Sequence, residues 1–167
     1  CGGATIAGSI SAQGYCSTLS GNTIIGTDAL SQDLSGSCNV AIGYNAAVRG
    51  VSAVNTVAIG ACALYNSYGG EGFNSAQTAI GACALLKNTT GRLNTAVGWI
   101  AMCDNTTGQD NTAFGAYALW KNTTGSYNTA LGEAALYSNT TGNNNTGVGY
   151  LTFWGSVTGS ESTHIGY

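Results

Sequence analysis

The polar and apolar residues of this chain alternate in short bursts that return at a fixed step. NTAVG at 94–98, NTAFG at 111–115 and NTALG at 128–132 are the same five residues with one bulky apolar position exchanged. With the first residue of each burst as position 1, the coils begin at Asn22, Asn39, Thr56, Gln77, Asn94, Asn111, Asn128, Asn145 and Ser162. Positions 2 and 4 hold Thr or Val and then Val, Ile, Leu or Phe, whereas positions 1, 3 and 5 hold mostly Asn, Ala and Gly. A period of two over five residues predicts a short β-strand with one bulky face and one small face. Position 5 is glycine in every coil from Gly26 to Gly166. That predicts a corner with positive φ, or a backbone approach too close for a Cβ.

The remainder of each coil is less regular. Ala at position 8 and Leu at position 9 could pass for a helical turn, but the coil is too short to hold a strand, a helix and two connections. NTTG at positions 12 to 15 is turn chemistry with β-prone threonines, so a second short strand or a bend is expected after the first. One coil cannot bury its apolar side alone. Stacked at the usual strand spacing of about 4.8 Å, successive coils make continuous ladders of Val/Ile, Leu, Ala and Asn. The expected fold is therefore all-β: a single parallel β-solenoid domain over residues 1–167, with about ten coils. Residues 1–21 read as irregular coils and 22–167 as the regular repeats, with a Gly-rich loop inserted at about 65–76. The Ala/Gly face at positions 3 and 5 is expected to let sheets of separate chains approach closely. Proline is absent, as a structure made of backbone ladders requires.

Composition narrows the function. Charged residues are 7% of the chain, and Arg49, Lys87, Arg92 and Lys121 are the whole basic set. No cationic stripe exists to neutralise a phosphate backbone, which excludes nucleic acid as a partner. The acids Asp28, Asp33, Glu71, Asp104, Asp110, Glu133 and Glu161 do not gather at one shared coil position, and His164 is the only histidine. With no acid–base cluster, P-loop, GxSxG or HExxH, no catalytic residue, metal site or cofactor is expected, and the chain does not read as an enzyme. No run of some eighteen apolar residues predicts a membrane span, and no basic, hydrophobic leader opens the chain, so a mature chain or an excised piece is expected.

Six cysteines without a CxxC pair fit disulfides in an oxidising compartment better than a zinc site, which places the protein outside the cell or at its surface. Cys1, Cys16, Cys38, Cys62, Cys83 and Cys103 are the candidates, and sequence does not choose among their pairings. Cys62 and Cys83 share position 7 on successive coils, within reach of a bond. Buried free thiols are the alternative.

The consensus NTAxGxxALxxNTTGxx resembles the repeats of bacteriophage and bacterial tail-fibre-like surface proteins. VAIG at 40–43 and 57–60 is similar to the head repeats of trimeric autotransporter adhesins. The resemblance covers about residues 22 to 167. It implies a left-handed parallel β-roll, often with three chains side by side, on an extracellular fibre.

Four sets of residues are candidates for function. Asn88, Asn105, Asn122, Asn139 and Asn144 begin N-x-Thr sequons, which read either as glycan acceptors or as a stacked Asn/Thr ladder. Trp120, Tyr137 and Trp154 share position 10 as a lateral or ligand contact, or as a packing ladder, since Leu86 and Cys103 fill that position earlier. Glu71 is the only charge in the Gly-rich loop. STHIGY at the C-terminus begins another coil, and Gly166-Tyr167 followed in space by Cys1 of a second copy would repeat the Gly14-Tyr15-Cys16 form. Cys1, His164, Gly166 and Tyr167 are thus candidates for a head-to-tail joint, the alternative being a slice of a longer repeat protein. The leading expectation is a structural subunit of an extracellular fibre or filament, partnered by copies of itself. A host- or glycan-binding shaft is the second, and ice binding is the third. Ice binding is weakened because Thr89 and Thr90 are adjacent and point opposite ways in a strand.

Overall fold

The computed structural model describes residues 21–32, 36–49, 54–67, 76–153, 155 and 158–166. Within them lie β1 (Thr23–Ile25), β2 (Val40–Ile42), β3 (Val57–Ile59), β4 (Thr78–Ile80), β5 (Thr95–Val97), β6 (Thr112–Phe114), β7 (Thr129–Leu131), β8 (Thr146–Val148) and β9 (Thr163–Ile165). All nine form one parallel sheet in chain order. This is the all-β solenoid that the period predicts. Nine rungs are described where about ten coils are expected, and the irregular stretch 1–20 lies outside the described residues.

Each coil position stacks on its own kind. Thr95 meets Thr112, Ala96 meets Ala113 and Val97 meets Phe114. The longer coil between β3 and β4 changes nothing, because Val57 still meets Thr78 and Ala58 meets Ala79. The extra residues of this coil thus leave the register of β3 on β4 unchanged.

The two strand faces are the reverse of what residue size suggested. Alanine at position 3 points inward and is fully buried in β2 through β7, while positions 2 and 4 lie half-buried or exposed on the outside. The core is a thin layer in which Ala96, Ala113 and Ala130 pack with the position 8 alanines Ala101, Ala118 and Ala135 and with Met102, Leu119 and Leu136. Two walls this close leave room for a methyl group but not for a second row of Val or Ile. The expectation that the Ala/Gly face serves contacts between chains is corrected accordingly. The outward face is the bulky one.

Both readings of the position 5 glycine hold together. Gly115 has φ 137°, and a Cβ there would stand 2.5 Å from the carbonyl oxygen of Gly132 on the next rung. Neither the torsion nor the space admits a side chain.

The segment after the corner is a bend rather than a second strand. Cys83 and Leu85, at positions 7 and 9, have φ of 58° and 52°, and the same alternation recurs in the other coils. Alternating hand turns the chain while keeping every second peptide aligned with the axis. The Cys83 N–H donates to Ala61 O at 2.9 Å, Leu85 N–H to Ala101 O at 3.0 Å and Lys87 N–H to Cys103 O at 3.0 Å. A left-handed L-residue costs roughly 1–2 kcal/mol. Full burial of a leucine returns about 1.5–3 kcal/mol, so the position 9 side chain holds its own backbone in place.

Candidate functional site

The axis of the molecule carries two buried amide ladders, one at position 1 and one at position 12. Asn111 uses all four of its side-chain hydrogen-bonding valences. Its Nδ2 donates to Asn94 Oδ1 at 3.1 Å and to Gly125 O at 2.9 Å, and its Oδ1 accepts from the N–H and the Nδ2 of Asn128 at 2.9 and 3.0 Å. At position 12, Asn105 donates to Asn88 Oδ1, Asn122 to Asn105 Oδ1 and Asn139 to Asn122 Oδ1, at 2.7 to 3.0 Å. The two ladders meet on the position 15 glycine, since Asn111 and Asn122 both donate to Gly125 O.

That geometry decides between the two readings of the sequons. Asn88, Asn105, Asn122 and Asn139 are completely buried, and their Nδ2 atoms are committed to neighbours. A glycan on any of them would displace the ladder, so the folded chain offers these four as structure rather than as acceptors. Asn144 is exposed at position 17. The threonines that follow do diverge: Thr89 Oγ1 donates to Thr106 O at 2.9 Å, whereas Thr90 is exposed.

The outward strand face presents Thr at position 2 in every described strand except β2 and β3, beside an apolar column at position 4. Phe114 is 55% exposed and Leu131 39%, and Leu93 and Tyr127 project beside them at position 17. These rings and branches break the flatness that ordered water would require of the threonine column. Asp110 lies between Leu93 and Tyr127, and the strand columns themselves carry no charge.

On the turn face, four rings form a continuous edge-to-face run. Trp99 and Tyr117 have centroids 4.9 Å apart, Tyr117 and Trp120 5.6 Å, and Trp120 and Tyr137 4.9 Å. The Lys121 ammonium stands 5.2 Å from the Tyr137 ring and 5.8 Å from Trp120, a cation–π arrangement that Arg49 and Tyr65 repeat at 5.8 Å. The expected pair Trp120 and Tyr137 is thus brought together. Trp99 and Tyr117 join it from positions 6 and 7, which a search along a single position does not find.

The cysteines Cys38, Cys62, Cys83 and Cys103 are free thiols, contrary to the disulfide expectation. They occupy different columns except for Cys62 and Cys83. Those two are stacked in register, which holds their Cβ atoms near the rung spacing of about 4.8 Å, wider than the usual 3.5–4.5 Å of a disulfide. Burial, with Cys62 as a second cause, pushes the Cys83 thiol above its ordinary value. Burial and then the Asp104 carboxylate push Cys103 up to about 11. Asp104 is itself paired with Lys87 at 2.8 Å, and this contact raises the lysine.

His164 takes position 3 of β9, where β2 through β7 have alanine, opposite Gly147 of β8, and is exposed. Its ring packs edge-on against Phe153 with centroids 4.4 Å apart, beside a shallow cavity of about 110 Å³ that also touches Thr152 and Gly166. Cys1, Cys16, Glu71, Trp154 and Tyr167 lie outside the described residues. Among the described residues no set of three or more His, Cys, Asp or Glu is placed to hold a metal ion, and no helix is long and apolar enough to cross a membrane. No protein family, curated protein or solved structure matches the chain.

Proposed function

We propose that this chain is a structural element of an extracellular fibre or filament, extended along its axis by rung stacking and joined side by side through the outward strand face. One observation carries the axial part: every described step from one strand to the next uses the same register, so the stacking surface is complementary to itself. A further rung of the same pattern, from this chain or from another copy, would find on β9 the backbone register that β9 finds on β8, with His164 in the place of Gly147. Support for the lateral part comes from the apolar column at position 4, where Phe114 and Leu131 stand out from an uncharged sheet. An apolar row standing out from a sheet is a surface that water disfavours and a second sheet can cover. The expected cell exterior is retained in this proposal on the low charge of the chain.

Sedimentation and negative-stain microscopy test the two parts together. The protein at high concentration is expected as rods or filaments of constant width, built from lateral assemblies. Phe114→Asp combined with Leu131→Asp is expected to leave the fold, read by circular dichroism, and to return the assemblies to single chains. Discrete monomers at every concentration, with neither rods joined laterally nor filaments, would overturn the proposal.

A further inference from the structure

The aromatic run on the turn face is not required by the fold. The coils beginning at Asn22 and Gln77 place Thr27, Asp28 and Ser31, and Ala82, Cys83 and Leu86, at the same positions 6, 7 and 10. Their backbone keeps the same bonds: Cys83 N–H donates to Ala61 O and Lys87 N–H to Cys103 O, as Tyr117 N–H donates to Trp99 O at 3.0 Å and Lys121 N–H to Tyr137 O at 3.2 Å. Yet on three consecutive coils these positions gather Trp99, Tyr117, Trp120 and Tyr137, none of them fully buried and Trp99 52% exposed. Rings of this size left in water without a structural need mark a surface made for contact.

We propose that this surface binds an extended, uncharged oligosaccharide. The rings supply apolar faces for the C–H side of a pyranose. Polar groups for its hydroxyls stand around them: the Lys121 ammonium over Tyr137, the tyrosine hydroxyls, and Glu133, exposed at position 6 two rungs beyond Trp99. Between Trp99 and Glu133 position 6 is only the small Ala116, so two rungs, about 10 Å along the axis, separate the ring from the carboxylate. That separation suits an extended chain of sugars laid parallel to the rod. A site of aromatic walls with a few mixed donors and acceptors is the usual composition for such a neutral ligand. Lys121 and Glu133 beside the rings, with Asp104 on the neighbouring rung paired to Lys87, give no preference for an anionic polymer, and the net charge of −3 opposes one.

This site lies on a different face from the lateral contact, so it stands or falls separately from the fibre proposal. The test is calorimetric titration of the full chain with a β-1,4-linked glucose hexamer, with a β-1,4-linked galacturonate hexamer as the charged comparison. Saturable binding of the neutral hexamer is expected. Trp99→Ala is expected to weaken it by at least tenfold, about 1.4 kcal/mol, with circular dichroism and melting unchanged because the side chain is half in water. Glu133→Gln is expected to weaken it less, and Tyr44→Ala, at position 6 on a coil remote from the run, not at all. Absence of saturable binding, binding of the charged hexamer alone, or a Trp99→Ala protein that binds as the parent does would each overturn the assignment.

Discussion

Asn111 shows how a residue with poor strand propensity becomes the most constrained kind in this chain. Buried among neighbours that are themselves amides, it meets a donor or an acceptor in each direction its side chain can use. Asn111→Ala removes the acceptor for two N–H bonds from Asn128 and leaves those donors buried without partners. A stability loss of roughly 2–4 kcal/mol is expected in urea denaturation. Thr90→Ala, on an exposed hydroxyl of the same turn chemistry, is expected to change less than about 0.5 kcal/mol. Cys103 gives a pH signature at the same scale. Its folded-state value is raised to about 11, so the neutral thiol is favoured in the fold. The contribution is intact below the ordinary thiol value and is lost as pH rises through the folded one. Stability is expected to fall between about pH 9 and pH 11 with a slope of at most about 1.4 kcal/mol per pH unit from this group. Denaturation at pH 8, 9.5 and 11 checks it, because Cys103→Ala should shrink the pH dependence by that share.

At the scale of the element, a strand of three residues has no stability of its own. Each coil is held by its neighbours above and below, and the corner glycine, the left-handed pair at positions 7 and 9 and the amide ladders act only when repeated. Stability is then close to a sum of identical neighbour terms. Removal of one whole coil, residues 111–127, should join Asp110 to Asn128 without shifting any position. The shortened chain is expected to fold cooperatively, to melt within a few degrees of the parent, and to lose roughly 4.8 Å of length by small-angle scattering. Removal of residues 111–119 breaks the register and is expected to abolish the cooperative transition. Equal behaviour of the two deletions would mean that register is not what holds the rod together.

For the whole molecule, the strand period, the corner glycine and the parallel stack were all legible in the chain, because each depends on a repeat that the chain itself displays. NTAxG could only pair with NTAxG in register, since any slip of one residue would place glycine where a side chain stands and reverse both faces. What the repeat could not decide was which face lies inside. Alternation marks two sides of a strand but not the distance to the opposite wall, and here that distance admits Ala96, Ala113 and Ala130 and expels Val97, Phe114 and Leu131. Nor could it show that Asn88, Asn105, Asn122 and Asn139 spend their amides on one another rather than on glycans, or that Trp99 and Tyr117 join Trp120 and Tyr137 from other positions of the coil. Those outcomes depend on separations across the roll and between rungs, which arise only when the coils close and stack. Sequence by itself determined the periodicity and hence the architecture. The tertiary structure alone decided inside from outside, because that is set by the thickness of the space enclosed and not by the order of residues along it.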